Sequence, residues 1–333
     1  MVPFEDEQYT EFMHTEMPAW LQEHVEGAQF PGYDGNPLQY YHTRDVNGAP
    51  KGTIVMLHGF CGYFRKYHEV LYDFWEKGYD VYFLEQRGHG LSYRSVPEKD
   101  RVDVGDFDEY VEDLWSLMQQ IVVRGHEALR RSADGASARL PLILYGHSMG
   151  GCVATMFLEK YPDFFDAGIL SSPMLKINYG FPDWQVDLLG KGSKVLKWDD
   201  RFMPGQGDFD GMPDFENSGA TSRARYDYTF QGRIDPASDG AYTMNGGTYR
   251  WGRAAMKATS GIAQKEDRIQ IPILILQAGK DNFVDNSAEN RLRRNAQNAK
   301  IARFPEAKHE IYNADPKSLE RYYRVIFRFL DEL

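Results

Sequence analysis

From Pro50 onward the chain alternates short apolar runs with longer amphipathic stretches, and that rhythm leaves few folds open. Strands covered on both faces read as near-continuous apolar runs, and the helices that cover them read as amphipathic stretches between the runs. The expected architecture is an α/β fold, βαβ units around a mostly parallel sheet. Strand candidates are Thr53 to Leu57, Asp80 to Leu84, Leu140 to Tyr145, Ala167 to Leu170, Ile271 to Gln277 and Ala299 to Phe304. Helical patterns fall near Tyr67 to Lys77, Asp106 to Arg131, Gly150 to Lys160, Asn286 to Gln297 and Lys317 to Leu330. Leu38 to Arg44, bracketed by the turn signals Asp34-Gly35-Asn36 and Asn47-Gly48, reads with the segment before it as an antiparallel edge. The N-terminus to about Val25 is expected to form one or two peripheral helices. The only low-complexity stretch is the small-residue loop Ser132 to Ala138.

The rhythm breaks once. Between about Pro173 and Lys265 there is no βα alternation, but there are many Gly, Pro, Asp, Trp and Tyr residues. A structureless loop of that length does not belong in a compact domain, so the segment is expected to be an inserted subdomain. The expected division is 1–172 and 266–333 for the core and 173–265 for the insertion. Its aromatics, including Phe181, Trp184, Phe202, Tyr228, Tyr249 and Trp251, either cover an apolar site or pack among themselves.

A chain of 333 residues with 42% hydrophobic content can bury a large core. The acidic start, Met1 to Glu7, and the lack of any apolar run near the roughly 18 residues of a membrane helix lead us to expect a soluble, cytoplasmic protein. Two cysteines, Cys61 and Cys152, and no His/Cys pairing at ligand spacing argue against disulfides and metal, and no cofactor is expected. A net charge of −11 gives no reason to bind nucleic acid and opposes tight binding to an anionic membrane. Arg291, Arg293 and Arg294 read as a solvated helix face.

Directly after Leu142-Ile143-Leu144-Tyr145 comes Gly146-His147-Ser148-Met149-Gly150-Gly151, then a helical pattern. The bare G-x-S-x-G match is weak. Its placement between strand and helix is strong, because that turn holds a serine hydroxyl on a strained elbow above a sheet. The helix behind Ser148 aims its first N–H groups at developing negative charge, which makes the N–H of Met149 one oxyanion donor. His58-Gly59-Phe60, leaving an earlier strand, supplies the second candidate, the N–H of Phe60.

A serine needs a base to take its proton. Of nine histidines, His58, His89 and His147 sit in glycine-rich turns and read as structural, and His14, His24, His42, His68 and His126 fall outside strand ends. His309, in Pro305-Glu306-Ala307-Lys308-His309-Glu310, stands beyond the last strand and before the final helix, where the chain order Ser, acid, His requires the base. The acid belongs after Ile271 to Gln277, where Asp281 and Asp285 both qualify. Asp281 is nearer the strand end and is preferred, while Asp285 precedes Asn286 and suits a helix N-cap.

Together, His58-Gly59, Arg87-Gly88-His89-Gly90-Leu91-Ser92, the Ser148 elbow and Ala307-Lys308-His309-Glu310 resemble the α/β-hydrolase branch of monoacylglycerol lipases and bacterial lysophospholipases, over roughly Phe30 to Leu330. Ser222-Arg223-Ala224-Arg225-Tyr226, Gly246-Gly247-Thr248-Tyr249-Arg250-Trp251, and Gln277-Ala278 leading to Val284-Asp285-Asn286 are similar to the lysophospholipase L2 type in particular. Two places depart from the pattern: Glu85-Gln86 stands where Asp is common before Arg-Gly-His-Gly, and Glu306 where glycine is frequent. The resemblance implies an eight-stranded α/β-hydrolase sheet with a lid over an acyl pocket. It further implies hydrolysis of a single-chain lipid ester through an acyl-enzyme, with Tyr249, Trp251 and Trp184 as substrate-contact candidates and weak peripheral membrane contact. The rivals are a short-chain esterase, an amidase or aminopeptidase of the same fold, or a non-catalytic binding protein. Dehalogenases and epoxide hydrolases need a carboxylate at the elbow, where this chain has Ser148.

Overall fold

The apolar runs pair because their side chains have nothing to gain from water on either face. The computed structural model describes residues 3–132, 140–180 and 183–333. In it β1 (Val25–Pro31), β2 (Pro37–Thr43), β3 (Gly52–Leu57) and β4 (Tyr79–Leu84) are followed by a two-residue strand, β5 (Arg101–Val102). Then come β6 (Leu142–His147), β7 (Ala167–Ser171), the short β8 (Gly246–Gly247), β9 (Ile273–Ala278) and β10 (Ala299–Phe304). Eight of these form one sheet in the order β1-β2-β4-β3-β6-β7-β9-β10, antiparallel at β1–β2 and β2–β4 and parallel elsewhere. Every residue of β3, β4, β6, β7 and β9 is buried. The strand predicted over Leu140 to Tyr145 runs instead from Leu142 to His147, since Pro141 has no N–H for the ladder.

The helices are α1 (Asp6–Thr15), α2 (Met17–His24), α3 (His68–Glu76), α4 (Asp108–Leu117), α5 (Val123–Ser132) and α6 (Met149–Lys160). After them come α7 (Asp183–Val195), α8 (Arg223–Ile234), α9 (Tyr249–Ile262), α10 (Asn286–Asn295) and α11 (Pro316–Leu330). Alternate strand residues feed opposite layers. Val55 and Leu57 pack with Leu114 of α4, Phe157 of α6, Ala255 of α9 and Leu292 of α10. Ile54 and Met56 face the other way, toward Phe12 of α1, Phe74 of α3 and Tyr322 of α11. Among the described residues no helix is long and apolar enough to cross a membrane. The loop predicted over Ser132 to Ala138 lies outside the described residues beyond Ser132, as do Phe181 and the side chain of Trp184.

Between β7 and β9 the chain passes through α7, α8, β8 and α9, and two ion pairs fasten this stretch to the rest of the chain, one buried on both sides and one joining a buried aspartate to a half-exposed arginine. Arg225 of α8, fully buried, donates from Nε and Nη2 to both carboxylate oxygens of Glu69 on α3, at 2.8 and 2.7 Å, and stacks over Tyr9 of α1. Asp103, just after β5, accepts from the Thr248 hydroxyl at 2.5 Å and pairs with Arg250, while β5 itself pairs with β8. Removing Arg225 or Glu69 strands the other charge of that buried pair, at a cost of about 3–5 kcal/mol. The arginines within the two insertion motifs therefore act as fasteners. Arg291 pairs with Glu266, whereas Arg293 and Arg294 are exposed on α10.

Candidate active site

Ser148 occupies the single residue between β6 and α6, at φ 51° and ψ −116°. A non-glycine residue rarely adopts that backbone, and it persists only where its surroundings over-determine it. Here the Ser148 N–H donates to the Ser171 carbonyl at 3.0 Å, and its own carbonyl accepts from Cys152 and Met174. The elbow also folds tightly on itself. A Cβ on Gly146 would stand 2.5 Å from the carbonyl oxygen of Gly150, and one on Gly150 would stand 2.3 Å from that of Leu57. A side chain at Gly146 would push the first turn of α6 away from β6, and one at Gly150 would push it off β3.

The loop carrying Phe60 is shaped by neutral imidazoles. His58 accepts the Gln86 N–H at Nε2 (2.9 Å), so its proton sits on Nδ1 and is donated to the Gly59 carbonyl (2.8 Å). His89 likewise accepts the Cys61 N–H at Nε2 (3.3 Å) and donates from Nδ1 to the Arg87 carbonyl (3.0 Å). Burial pushes His58 down to about 4 and His89 well below the usual histidine value. Both keep the single acceptor nitrogen this arrangement requires. Gln86 donates to the His58 carbonyl at 2.8 Å, and Tyr67 accepts the Gly59 N–H at 3.1 Å. Among the described residues the N–H groups of Phe60 and Met149 donate to no protein acceptor.

The two candidate aspartates divide cleanly. Asp281, with its side chain fully buried, accepts the N–H groups of Phe283 (2.8 Å) and Val284 (3.1 Å) on Oδ1 and His309 Nδ1 (2.6 Å) on Oδ2. The His309 ring is thereby held with Nδ1 protonated and Nε2 basic. Asp285 caps α10 through the Ser287 N–H (2.8 Å) and pairs with Lys176 (3.0 Å), donors that hold its carboxyl down to about 2. Asn286, donating to the Ala278 carbonyl at 2.8 Å, closes the loop that presents Asp281. The neighbouring Glu310 pairs with Lys66, and its N–H donates to the carbonyl of Gly219, between β7 and α8, at 2.8 Å. Glu306, the other departure from the family pattern, pairs at the surface with Lys280.

Ser148, His309 and Phe60 line one cavity of about 790 Å³. No hydrogen bond joins the Ser148 hydroxyl to His309 in this structure. Catalytic hydrogen bonds are often loose before substrate arrives. Tyr249 and Trp251 line the same cavity, and Trp251 packs against Phe60 with ring centroids 4.4 Å apart. Tyr228 and Phe202 do not line it. Tyr228 is packed on Tyr9 and bonded to His68, and Phe202 lies under Arg101. Sequence reasoning missed Met174, Met203, Met244, Phe209 and Phe230, which form much of the apolar wall. They stand singly in aperiodic segments or on a helix whose other face is core, so no local pattern marks them.

Residues 48–316 match the family described as Serine aminopeptidase, S33. Over 274 residues the chain is 28% identical to a probable lysophospholipase L2 of Haemophilus influenzae, covering 82% of each protein. It is 26% identical over 299 residues to a monoacylglycerol lipase of Mycolicibacterium smegmatis, covering 87% of this chain and 92% of that one. A soluble variant of monoglyceride lipase from Saccharomyces cerevisiae, crystallised with a substrate analog, shares the fold at a TM-score of 0.68 and 19% identity, covering 93% of this chain and 96% of that one. With the family match spanning most of its length, the chain belongs to the serine aminopeptidase S33 family of α/β-hydrolases, on the monoacylglycerol lipase and lysophospholipase branch, and is a serine hydrolase.

Proposed function

We propose that this protein hydrolyses the carboxylic ester of single-chain lipids, lysophospholipids or monoacylglycerols, through an acyl-enzyme on Ser148. The observation that carries the reading is the shared wall of one cavity: a strained serine, a histidine oriented by a buried aspartate, and Phe60, whose N–H has no protein acceptor among the described residues. His309 Nε2 takes the Ser148 proton as Oγ attacks the ester carbonyl, and Asp281 stabilises the imidazolium without itself being protonated. The N–H groups of Phe60 and Met149 hold the oxyanion. Collapse of the intermediate expels the alcohol, which receives the proton from His309. Water activated by the same imidazole then clears the acyl group.

Residues 173–265 act in this reading as a lid, with α8 and α9 as its fixed part and α7 as its outer edge. We place the enzyme in the cytoplasm, in keeping with two free thiols, and at a membrane face when its substrate is there. Leu188, Leu189, Val195 and Leu196, exposed on and after α7, suit that contact. Flotation with neutral liposomes tests it: a bound fraction is expected, and protein left wholly in the aqueous phase rejects it. The function itself is tested by product analysis on monoacylglycerols, lysophospholipids, short-chain esters and peptide amides. Fastest turnover is expected on the single-chain lipids, and peptide cleavage without ester cleavage would end the assignment.

A further inference from the structure

Three Lys or Arg side chains line the cavity, and two of them are neutralised. Lys66 is paired with Glu310 and Arg253 with Asp199. Arg233, in the last turn of α8, has no carboxylate at ion-pair distance among the described residues. Its guanidinium is nevertheless held in place. Nη2 donates to the carbonyls of Thr243 (3.4 Å) and Met244 (2.9 Å) and to Asn245 Oδ1 (3.0 Å), and the group lies 3.8 Å over the ring of Phe209. All three bonds use one nitrogen. Nε and Nη1, with three N–H groups between them, donate to no protein acceptor among the described residues, and neither is sealed from solvent.

A purely structural arginine would turn its donors inward or find a counter-ion. This one presents a preoriented, uncompensated cation to a cavity in a protein of net charge −11. Its position is toward the reacting end of that cavity, since a Cβ on the neighbouring Gly232 would stand 3.1 Å from the ring of Tyr63, three residues after Phe60. Burial pushes the Cys61 thiol up to about 12, and Arg233 is the largest pull against it; the same opposition operates at Tyr63. Both residues follow Phe60, the proposed oxyanion donor. Guanidinium is the side chain best suited to a phosphate oxygen, being always charged and weakly hydrated. Asp210 and Asp214, exposed on the same lining, disfavour a dianion and suit a phosphodiester that carries its own ammonium.

We infer that Arg233 binds the phosphodiester of a zwitterionic lysophospholipid headgroup, making lysophospholipids rather than monoacylglycerols the preferred substrates. The inference rests on the ester-hydrolase reading above. The test compares kcat/KM for lysophosphatidylethanolamine and for a monoacylglycerol, each with one decanoyl chain, in wild type, Arg233→Met and Arg233→Gln. The glutamine variant keeps an amide donor for the carbonyls of Thr243 and Met244 while removing the charge. Either variant is expected to lower the lysophospholipid-to-monoacylglycerol ratio about tenfold or more, mainly through KM. A ratio unchanged from wild type in a folded variant overturns the inference and leaves ester hydrolysis standing. Cleavage of neither lipid by wild type overturns the parent reading instead. Glycerophosphoethanolamine is expected to inhibit wild type more strongly than inorganic phosphate at equal concentration; equal inhibition by both would reject headgroup recognition.

Discussion

Ser148→Ala is expected to lower ester turnover by about 10⁴- to 10⁶-fold while leaving the protein folded. The hydroxyl is the proposed attacking atom, and no other serine, threonine or cysteine occupies the elbow. Cys61, which lines the same cavity, cannot substitute for it, because burial pushes its thiol up to about 12 and leaves almost no thiolate at neutral pH. Folding should survive because the bonds that fix the elbow run through the backbone of residue 148 and not through its side chain. Alanine meets the same strain at φ 51° that serine does. Residual activity is expected from the N–H groups of Phe60 and Met149, which the substitution leaves in place. A fluorophosphonate probe should label wild type and not the variant. A folded wild type that resists labelling would point to a binding protein that keeps the fold without the chemistry.

Asp281→Asn is expected to cost about 10⁴ in kcat, the larger of the two effects at the acid loop. Asparagine preserves the shape and can still accept the N–H groups of Phe283 and Val284 on its oxygen. Its amide nitrogen would then face His309 Nδ1, where Asp281 Oδ2 now accepts at 2.6 Å. Two donors cannot share that contact, so the ring is driven to the tautomer protonated on Nε2, which cannot take a proton from serine. Asp285→Asn is the control. Asparagine is as good an N-cap as aspartate, and the partly exposed pair with Lys176 is worth less than about 1 kcal/mol, so turnover should hold. Steady-state kinetics on one monoacyl ester distinguish the cases, and the reverse outcome would transfer the acid role to Asp285.

What could be read from the chain beforehand was whatever local chemistry imposes. Parallel strands such as β3 and β9 are legible because both their faces are buried and their residues are almost all apolar. The Ser148 elbow is legible because its requirements are met within six residues: a strand, a forced backbone and glycines where no Cβ fits. His309 was reachable through chain order. Asp281 was preferred over Asp285 for its place nearer the strand end and the N-cap position of Asp285, but both follow β9 within a few residues and it is the approach of the His309 loop that separates them.

The stretch between β7 and β9 marks the other boundary. Its motifs around Arg225 and Arg250 were visible in the sequence, but their work as fasteners depends on Glu69 and Asp103, each about 150 residues away. The two-residue pairing of β5 with β8 has no periodicity to announce it. The cavity wall of Met174, Met203 and Met244 and the unpaired charge of Arg233 belong to the same class. Sequence by itself determined the strands, the elbow and the order of its partners, because periodicity and backbone sterics act between near neighbours. Which aspartate meets the histidine, which aromatics face the cavity and which cavity arginine has no carboxylate partner among the described residues were decided by tertiary structure, because burial and charge pairing depend on residues that only folding brings together.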